Sequence, residues 1–382
     1  MTVPRAGLNV GWRHGALTLG YGPMITVTPL GSDSRQVLVL HSGALAASRR
    51  WGRTLVTLSE TASYGNVNFR EQALGDARGV SIPNTPAGTP PGGTTPPGGT
   101  STPPVSGGAT TPPTVTPNPA NQIRASNLIV PVASSSTDLT LANDVSKTLT
   151  VGASVGYLIA GSVGAKASPD YPVIRGPRAQ ANAVYHPTHR DVLTTTISTQ
   201  LASSRVADAW ILLGNETWVR ALDRETTTTF GGGISITRNS QPDGLVSYSI
   251  YPTFNSGIGY TTGLARGVFT LASGVSASPA IDPVRASVDP RLRVGLSLGW
   301  AKDRFSSSLT GATAISLTNQ DSTGALNSVS GAFSVSYRLA DSLAVDSGVR
   351  GFWQTFEGQT TVAPTLAAFV GVTFGLQSTL NH

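Results

Sequence analysis

The 382-residue chain contains no cysteine. Disulfide scaffolds, thiolate metal sites and thiol catalysis are thereby excluded, and the composition is compatible with an oxidising compartment, where stray thiols are a liability. Charge is also scarce. Asp, Glu, Lys and Arg make up 12% of the residues, about half the roughly 25% of ordinary soluble domains. No stretch approaches the roughly 18 consecutive apolar residues of a membrane-spanning helix; Leu128–Ala133 and Trp210–Leu213 are among the longest, and both are short. The net charge of +6 is not gathered into a basic run, so nucleic acid is not an expected partner. Met1–Gly7 shows no basic segment followed by an apolar one, which places a secretory signal upstream of this start or the protein in the cytoplasm. A weak field and regularly recurring apolar residues argue against global disorder.

What the chain has in abundance is glycine, 43 residues, with Ser, Thr and Ala, arranged with a period of two. In Leu292–Trp300, Leu292, Val294, Leu296, Leu298 and Trp300 are apolar and the residues between them are polar or small. The same alternation runs through Leu149–Ile159, Phe333–Leu339 and Leu366–Phe374. Such segments are strands with one apolar and one solvated face, unlike the continuous apolar runs of a parallel α/β sheet.

Two kinds of connection alternate between the strands. Short turns fall at Arg13–Gly15, Arg49–Gly52, Asp144–Lys147, Pro187–Asp191, Asp223–Glu225, Gly263–Arg266, Lys302–Arg304 and Ala340–Asp341, with longer links between them. One end of the sheet is tight and the other elaborated, as in transmembrane barrels. About 17 segments of roughly 9–15 residues result, long enough to cross a bilayer with a tilt. An even-stranded barrel then requires one more strand before Ala6, giving 18, with 16 as the nearest competitor. The expected fold is therefore all-β: a transmembrane, antiparallel, up-and-down barrel of about 16–18 strands with one long disordered loop insertion.

The insertion stands apart in composition. Residues 79–123 carry no charge and hold 12 of the 26 prolines, including a tandem TPPGGT at Thr89–Thr100. Such sequence builds no core and favours polyproline or disordered conformations. The expected organisation is N-terminal barrel strands over 1–64, an extracellular loop over 65–125, the remaining strands of the same barrel over 126–376, and a tail over 377–382.

The pattern resembles the Gram-negative outer-membrane β-barrel proteins over essentially the whole chain outside the insertion. The terminal strand LAAFVGVTF, Leu366–Phe374, resembles the alternating signal with a closing aromatic, here Phe374, that the barrel-assembly machinery reads; the residues after Phe374 depart from it. The hairpin Val335–Trp353 is also similar to a barrel hairpin. The resemblance implies an outer-membrane location, contact with outer-membrane lipid and lipopolysaccharide, engagement of the assembly machinery, and periplasmic export components as partners. Barrels that export exopolysaccharide belong to the same size class.

Aromatic residues near strand ends, Trp12, Trp51, Tyr185, Phe305, Tyr337 and Trp353, fit interface girdles. Trp210 and Trp218 share parity with Glu216 and Arg220, which calls for a bulge, an inward aromatic patch or a different register for this strand. The face opposite the apolar one gives Arg293, Asp346 and Arg350 as candidate lumen-facing residues among many Ser, Thr, Gly and Ala. A lumen with so few charges suits a neutral or weakly charged hydrated solute, carbohydrate above all.

No enzyme is expected, and no cofactor or metal. Gly152–Gly156 matches G-x-S-x-G, but Ser154 lies inside regular alternation and lacks the strand-to-helix elbow that activates such a serine. His186 and His189 flank a proline in a turn without acidic neighbours, and Asn215–Thr217 matches a glycosylation pattern by chance. The leading expectation is a pore that passes hydrophilic solutes or an exported polymer; the alternative is a structural or adhesion barrel that acts through its loops or a partner.

Overall fold

Long alternating segments joined by tight turns satisfy their backbone most simply by pairing each strand with the next. The computed structural model describes residues 5–12, 14–30, 34–68, 129–163, 173–205, 207–240, 244–264, 267–282, 287–317, 326–340, 343–356 and 365–379. Within them lie 17 strands: β1 (Arg5–Trp12), β2 (Gly15–Leu30), β3 (Ser34–Trp51), β4 (Thr54–Asn68), β5 (Ile129–Asp144), β6 (Leu149–Ser162), β7 (Ile174–Tyr185), β8 (Asp191–Ser203), β9 (Asp208–Ala221), β10 (Thr226–Ser240), β11 (Val246–Leu264), β12 (Gly267–Asp282), β13 (Ser287–Lys302), β14 (Phe305–Ser316), β15 (Leu326–Ala340), β16 (Leu343–Phe356) and β17 (Thr365–Thr379).

Consecutive strands pair antiparallel from β1–β2 to β16–β17. β1 and β17 pair in parallel, from Arg5↔Thr373 to Gly11↔Thr379. The ladder thus comes back to its first strand, as a sheet in hydrocarbon must if its edges are to be satisfied. The 17 strands of the described residues fall within the expected 16–18, and the parallel pairing supplies backbone partners at the seam.

The links separate into two ends as expected. Those after odd-numbered strands span 2–5 residues and those after even-numbered strands 3–60. Gly52 (φ 58°) and Asp303 (φ 49°) each take the first position of a two-residue turn, where a positive φ matches the twist of the flanking strands. β4 and β17 run to Asn68 and Thr379, beyond the expected limits at 64 and 376. Residues 69–125 of the expected insertion and 380–382 of the expected tail lie outside the described residues.

The turn between β9 and β10 carries a pH dependence. Asp223 Oδ1 accepts the backbone N–H groups of Glu225 at 2.8 Å and Thr226 at 2.7 Å, and these bonds hold its carboxyl below the ordinary value of 3.8. Folding therefore favours the ionised form, so the stabilisation of the turn is complete above pH 3.8 and is lost as pH falls through the depressed folded value. The protection of the Glu225 and Thr226 amides against exchange in micelles, relative to their intrinsic rates at each pH, is expected to fall over that acidic window, and in Asp223→Ala to be lost already at neutral pH.

Register divides every strand into two faces. Val151, Val155, Tyr157 and Ile159 on β6 and Leu139 and Leu141 on β5 share one, all exposed; Asp138, Ser154 and Gly156 share the other. Buried residues such as Val132, Leu158, Ile174, Ala202, Ile211 and Ser235 fall by register on the second face. A sheet that returns on itself has no layer outside it, so the face that becomes covered is the inner one. The apolar face is then the outer, lipid-facing one.

At the short-turn end the outer face carries Trp12, Trp51, Tyr185, Trp218, Phe305 and Tyr337, a girdle where apolar rings meet water. Arg49 lies over the Trp51 ring at 4.8 Å and Arg220 over the Trp218 ring at 5.7 Å. The conflict of faces on β9 is resolved without a bulge or an inward patch: β9 keeps unbroken register with β8 and β10, and Trp210, Glu216, Trp218 and Arg220 all point outward. Trp218 Nε1 donates to Asp191 Oδ1 at 3.0 Å and Trp210 Nε1 to Thr199 Oγ1 at 2.8 Å, so the polar tips of both rings are satisfied in place.

Candidate functional site

The inner face is built mostly of small and hydroxylated residues, and four of its charged side chains form two ion pairs. Asp138 on β5 and Arg178 on β7 are separated by β6, where Gly156 is in register with both. Neighbouring strands stand about 4.8 Å apart, so the long guanidinium can reach the carboxylate only across a position that has no side chain. A Cβ added at Gly156 would lie 2.7 Å from Thr137 O and 3.0 Å from Arg178 Nε, which makes glycine a condition of the ion pair. Arg178 Nε donates to Asp138 Oδ1 at 2.7 Å, Nη2 donates to Asp138 Oδ2, and Nη2 also donates to Ser136 Oγ at 2.6 Å. This is a bidentate fork.

Nearer the short-turn end, Arg50 Nη2 on β3 donates to Asp144 Oδ2 on β5 at 2.6 Å, and Thr150 Oγ1 on β6 donates to Asp144 Oδ1 at 2.9 Å. Both partners are over a third exposed, and such a pair contributes little to stability; it does neutralise two charges on the wall. Hydroxyls pair across strands too, Ser63 with Ser134 and Ser308 with Ser334, each at 2.7 Å. The sequence expectation had picked out none of Arg50, Asp138, Asp144 and Arg178. Extending the alternation of Leu149–Ile159 to β5 and β7 would have placed Asp138 and Arg178 on the polar face.

Arg293 is in register between Ser276 and Ala314, and Asp346 between Ser336 and Gly371, both at inner-face positions. Arg350 has its backbone between Ala332 and Ala367; its side chain lies outside the described residues. These three positions are spread over β13 and β16 and do not join the Asp138–Arg178 cluster. The backbone of Phe374 pairs with Leu343 and Ala6, and β17 continues past it. Ser154 sits in plain strand between Thr140 and Gln180.

The long-loop end has an element that alternation alone does not disclose. β12 pairs with β11 only as far as Phe254↔Ala277, while β12 and β13 remain paired with each other out to Asp282↔Ser287. Residues 278–282 and 287–290 therefore form a hairpin extension without a neighbour on the β11 side. It contacts β9 and β10, Val288 N donates to Asn239 Oδ1 at 3.0 Å, and Val288 packs with Ile174, Ala202, Ala209, Ile211 and the partly buried Tyr251. Ala277, Val288 and Pro290 are buried although their register belongs to the outer face, as expected where the extension turns into the barrel.

A family model described as the EpsX exopolysaccharide export family matches residues 1–379. The chain belongs to this family. No curated protein matches it in sequence. Among solved structures, this EpsX-family chain is similar to the FrpB iron transporter from Neisseria meningitidis (F5-1 variant, apoprotein form), with 10% identity, a TM-score of 0.51, and coverage of 92% of this chain and 59% of that one. The copper transporter OprC shares 11% identity with a TM-score of 0.47, over 95% of this chain and 62% of that one. Fiu from E. coli K12, a ferric-catecholate import receptor in its closed form, shares 9% with a TM-score of 0.42, over 94% and 65%. The EpsX-family chain thus spans less than two thirds of the length of each. The family match and the strand topology identify an outer-membrane β-barrel.

In this EpsX-family barrel, His186 and His189 lie in the turn between β7 and β8, and among the described residues no group of three or more His, Asp or Glu comes together as a metal site. His41 stands on the outer face, its Nδ1 hydrogen-bonded to the Tyr21 hydroxyl at 2.6 Å with the rings stacked.

Proposed function

We propose that this protein is a passive, non-enzymatic conduit that carries an exported polysaccharide across the outer membrane, with its long-loop end, and the 65–125 segment, on the outside. The observation that carries this reading is the inner wall. Four of its charges are neutralised in the Asp138–Arg178 and Arg50–Asp144 pairs, and Ser, Thr, Asn and Gly supply most of the surface that meets the passing chain. Such a surface offers a polyhydroxyl solute many weak, exchangeable hydrogen bonds and no deep electrostatic trap, as conduction requires. Arg293, Asp346 and Arg350 would add further charged positions to that wall. Phe374 would serve the assembly machinery, and periplasmic export components would deliver the polymer to the short-turn end; lipid and lipopolysaccharide would contact the outer face.

The full chain reconstituted in planar bilayers is expected to carry ionic current, larger when residues 79–123 are deleted. Absence of current from both forms would overturn the conduit. Cells lacking the protein are expected to lose surface polysaccharide while retaining it inside the envelope.

A further inference from the structure

The inner face of β10 and β11 beneath the hairpin extension holds an unusual group of polar atoms. Ser235 is fully buried and Thr253 is 7% exposed, yet Ser235 Oγ, Thr253 Oγ1 and Asn255 Oδ1 have no hydrogen-bond partner among the described residues. Buried hydroxyls and amides are nearly always satisfied, and leaving them unpaired is costly. The three are close together in the ladder. Ser235 is in register with Tyr251, and Thr253 and Asn255 follow on the same face opposite Gly233 and Gly231, positions that put no side chain between them. Tyr251, whose ring packs against the apolar cluster at Val288, borders the group.

The covering extension is itself weakly held. Just beyond the point where β12 leaves β11, Pro279 stands directly opposite Pro290. Neither proline has an N–H to give to the ladder, so the pairing is thinnest at the base of the extension. On the β14 side, Leu317 N donates to Pro290 O at 2.8 Å.

We propose that Ser235, Thr253 and Asn255, with Tyr251 beside them, form a binding site for a neutral sugar unit, and that the β12–β13 extension is a flap that swings off the site about the Pro279–Pro290 pair. The chemistry matches a hexose: two hydroxyls that donate and accept, an amide oxygen that accepts, a ring that packs on an apolar sugar face, and no charge among the four. In the covered state these groups are unsatisfied. Sugar hydroxyls satisfy them once the flap is displaced, so the passing polymer holds the mouth open by differential binding to the uncovered state. The inference rests on the export reading for the identity of the sugar.

The test uses maltohexaose with the full chain in detergent, binding being followed by calorimetry, which does not depend on conduction. The wild type is expected to bind, and Ser235→Ala/Thr253→Val to bind about tenfold more weakly, the effect of two lost hydrogen bonds of modest net strength. That variant is expected to unfold at the same or a higher temperature than the wild type, because it removes unpaired buried hydroxyls. The chain has no cysteine, so Asn239→Cys/Val288→Cys can form one disulfide that pins the flap. Binding is expected to be absent from its oxidised form and to return on reduction. Absence of wild-type binding, equal binding by the Ser235/Thr253 variant, or equal binding by the oxidised and reduced flap would overturn the site. Current in planar bilayers from a protein that binds no maltohexaose would leave the conduit standing and remove the site; binding without current would do the reverse.

Discussion

Val155→Arg is expected to prevent stable insertion, whereas Ser154→Arg, one residue earlier on the same strand, is expected to leave the barrel intact. Val155 is 57% exposed on the outer face near the middle of β6, where lipid is its only neighbour outside the sheet. An arginine near the bilayer midplane of a barrel costs about 2–4 kcal/mol, enough to remove much of the stability of a marginal fold. Ser154 faces the aqueous interior, where a guanidinium stays hydrated. Urea titration of the protein folded into lipid vesicles, with heat-modifiable gel migration as the marker of the folded form, measures both. Ser154→Arg should also shift the ion selectivity of the current toward anions. Equal destabilisation by the two substitutions would contradict the assignment of faces.

The second large effect is expected at Asp138. Its partner Arg178 has a side chain only 12% exposed, so Asp138→Ala leaves a guanidinium between β5, β6 and β7 without the carboxylate that neutralises it. Breaking a buried pair from one side costs about 3 kcal/mol, while replacing both members by apolar groups of similar volume is often near neutral. Asp138→Ala is therefore expected to lower the urea midpoint strongly, and Asp138→Leu/Arg178→Met to recover most of the loss. The double variant also separates stability from transport, since it restores the wall without its charges. If it is as unstable as the single variant, the pair has a geometric role that two apolar side chains cannot fill.

The alternation of residues such as Leu149–Ile159 made the strands, their faces and the order of tight and elaborated connections legible, because each depends on neighbours two residues apart or on a local turn. What escaped was set by partners distant in the chain. The alternation around Trp210 and Trp218 is unbroken, but charged companions made the outward face look wrong; the stacking of Arg220 on Trp218 and the bond from Trp218 to Asp191 that settle it come from two different strands. Asp138 and Arg178 lie 40 residues apart and become a pair only through the bare position at Gly156. The extension of β12 and β13 escaped because the two segments alternate normally up to Pro279 and Pro290, while the loss of the β11 partner depends on where another strand diverges. The same holds for Ser235 and Thr253, which read as ordinary wall residues until a cover is placed over them.

The parallel seam between β1 and β17 also governs sidedness. Each strand is one crossing, and 17 is odd. β1 runs from the long-loop end to the short-turn end, and β17, aligned with it, finishes where β1 finishes. Arg5 and Thr379 consequently stand on opposite sides of the bilayer, so a label joined near one is reached by a reagent confined outside the cell and a label near the other is shielded from it.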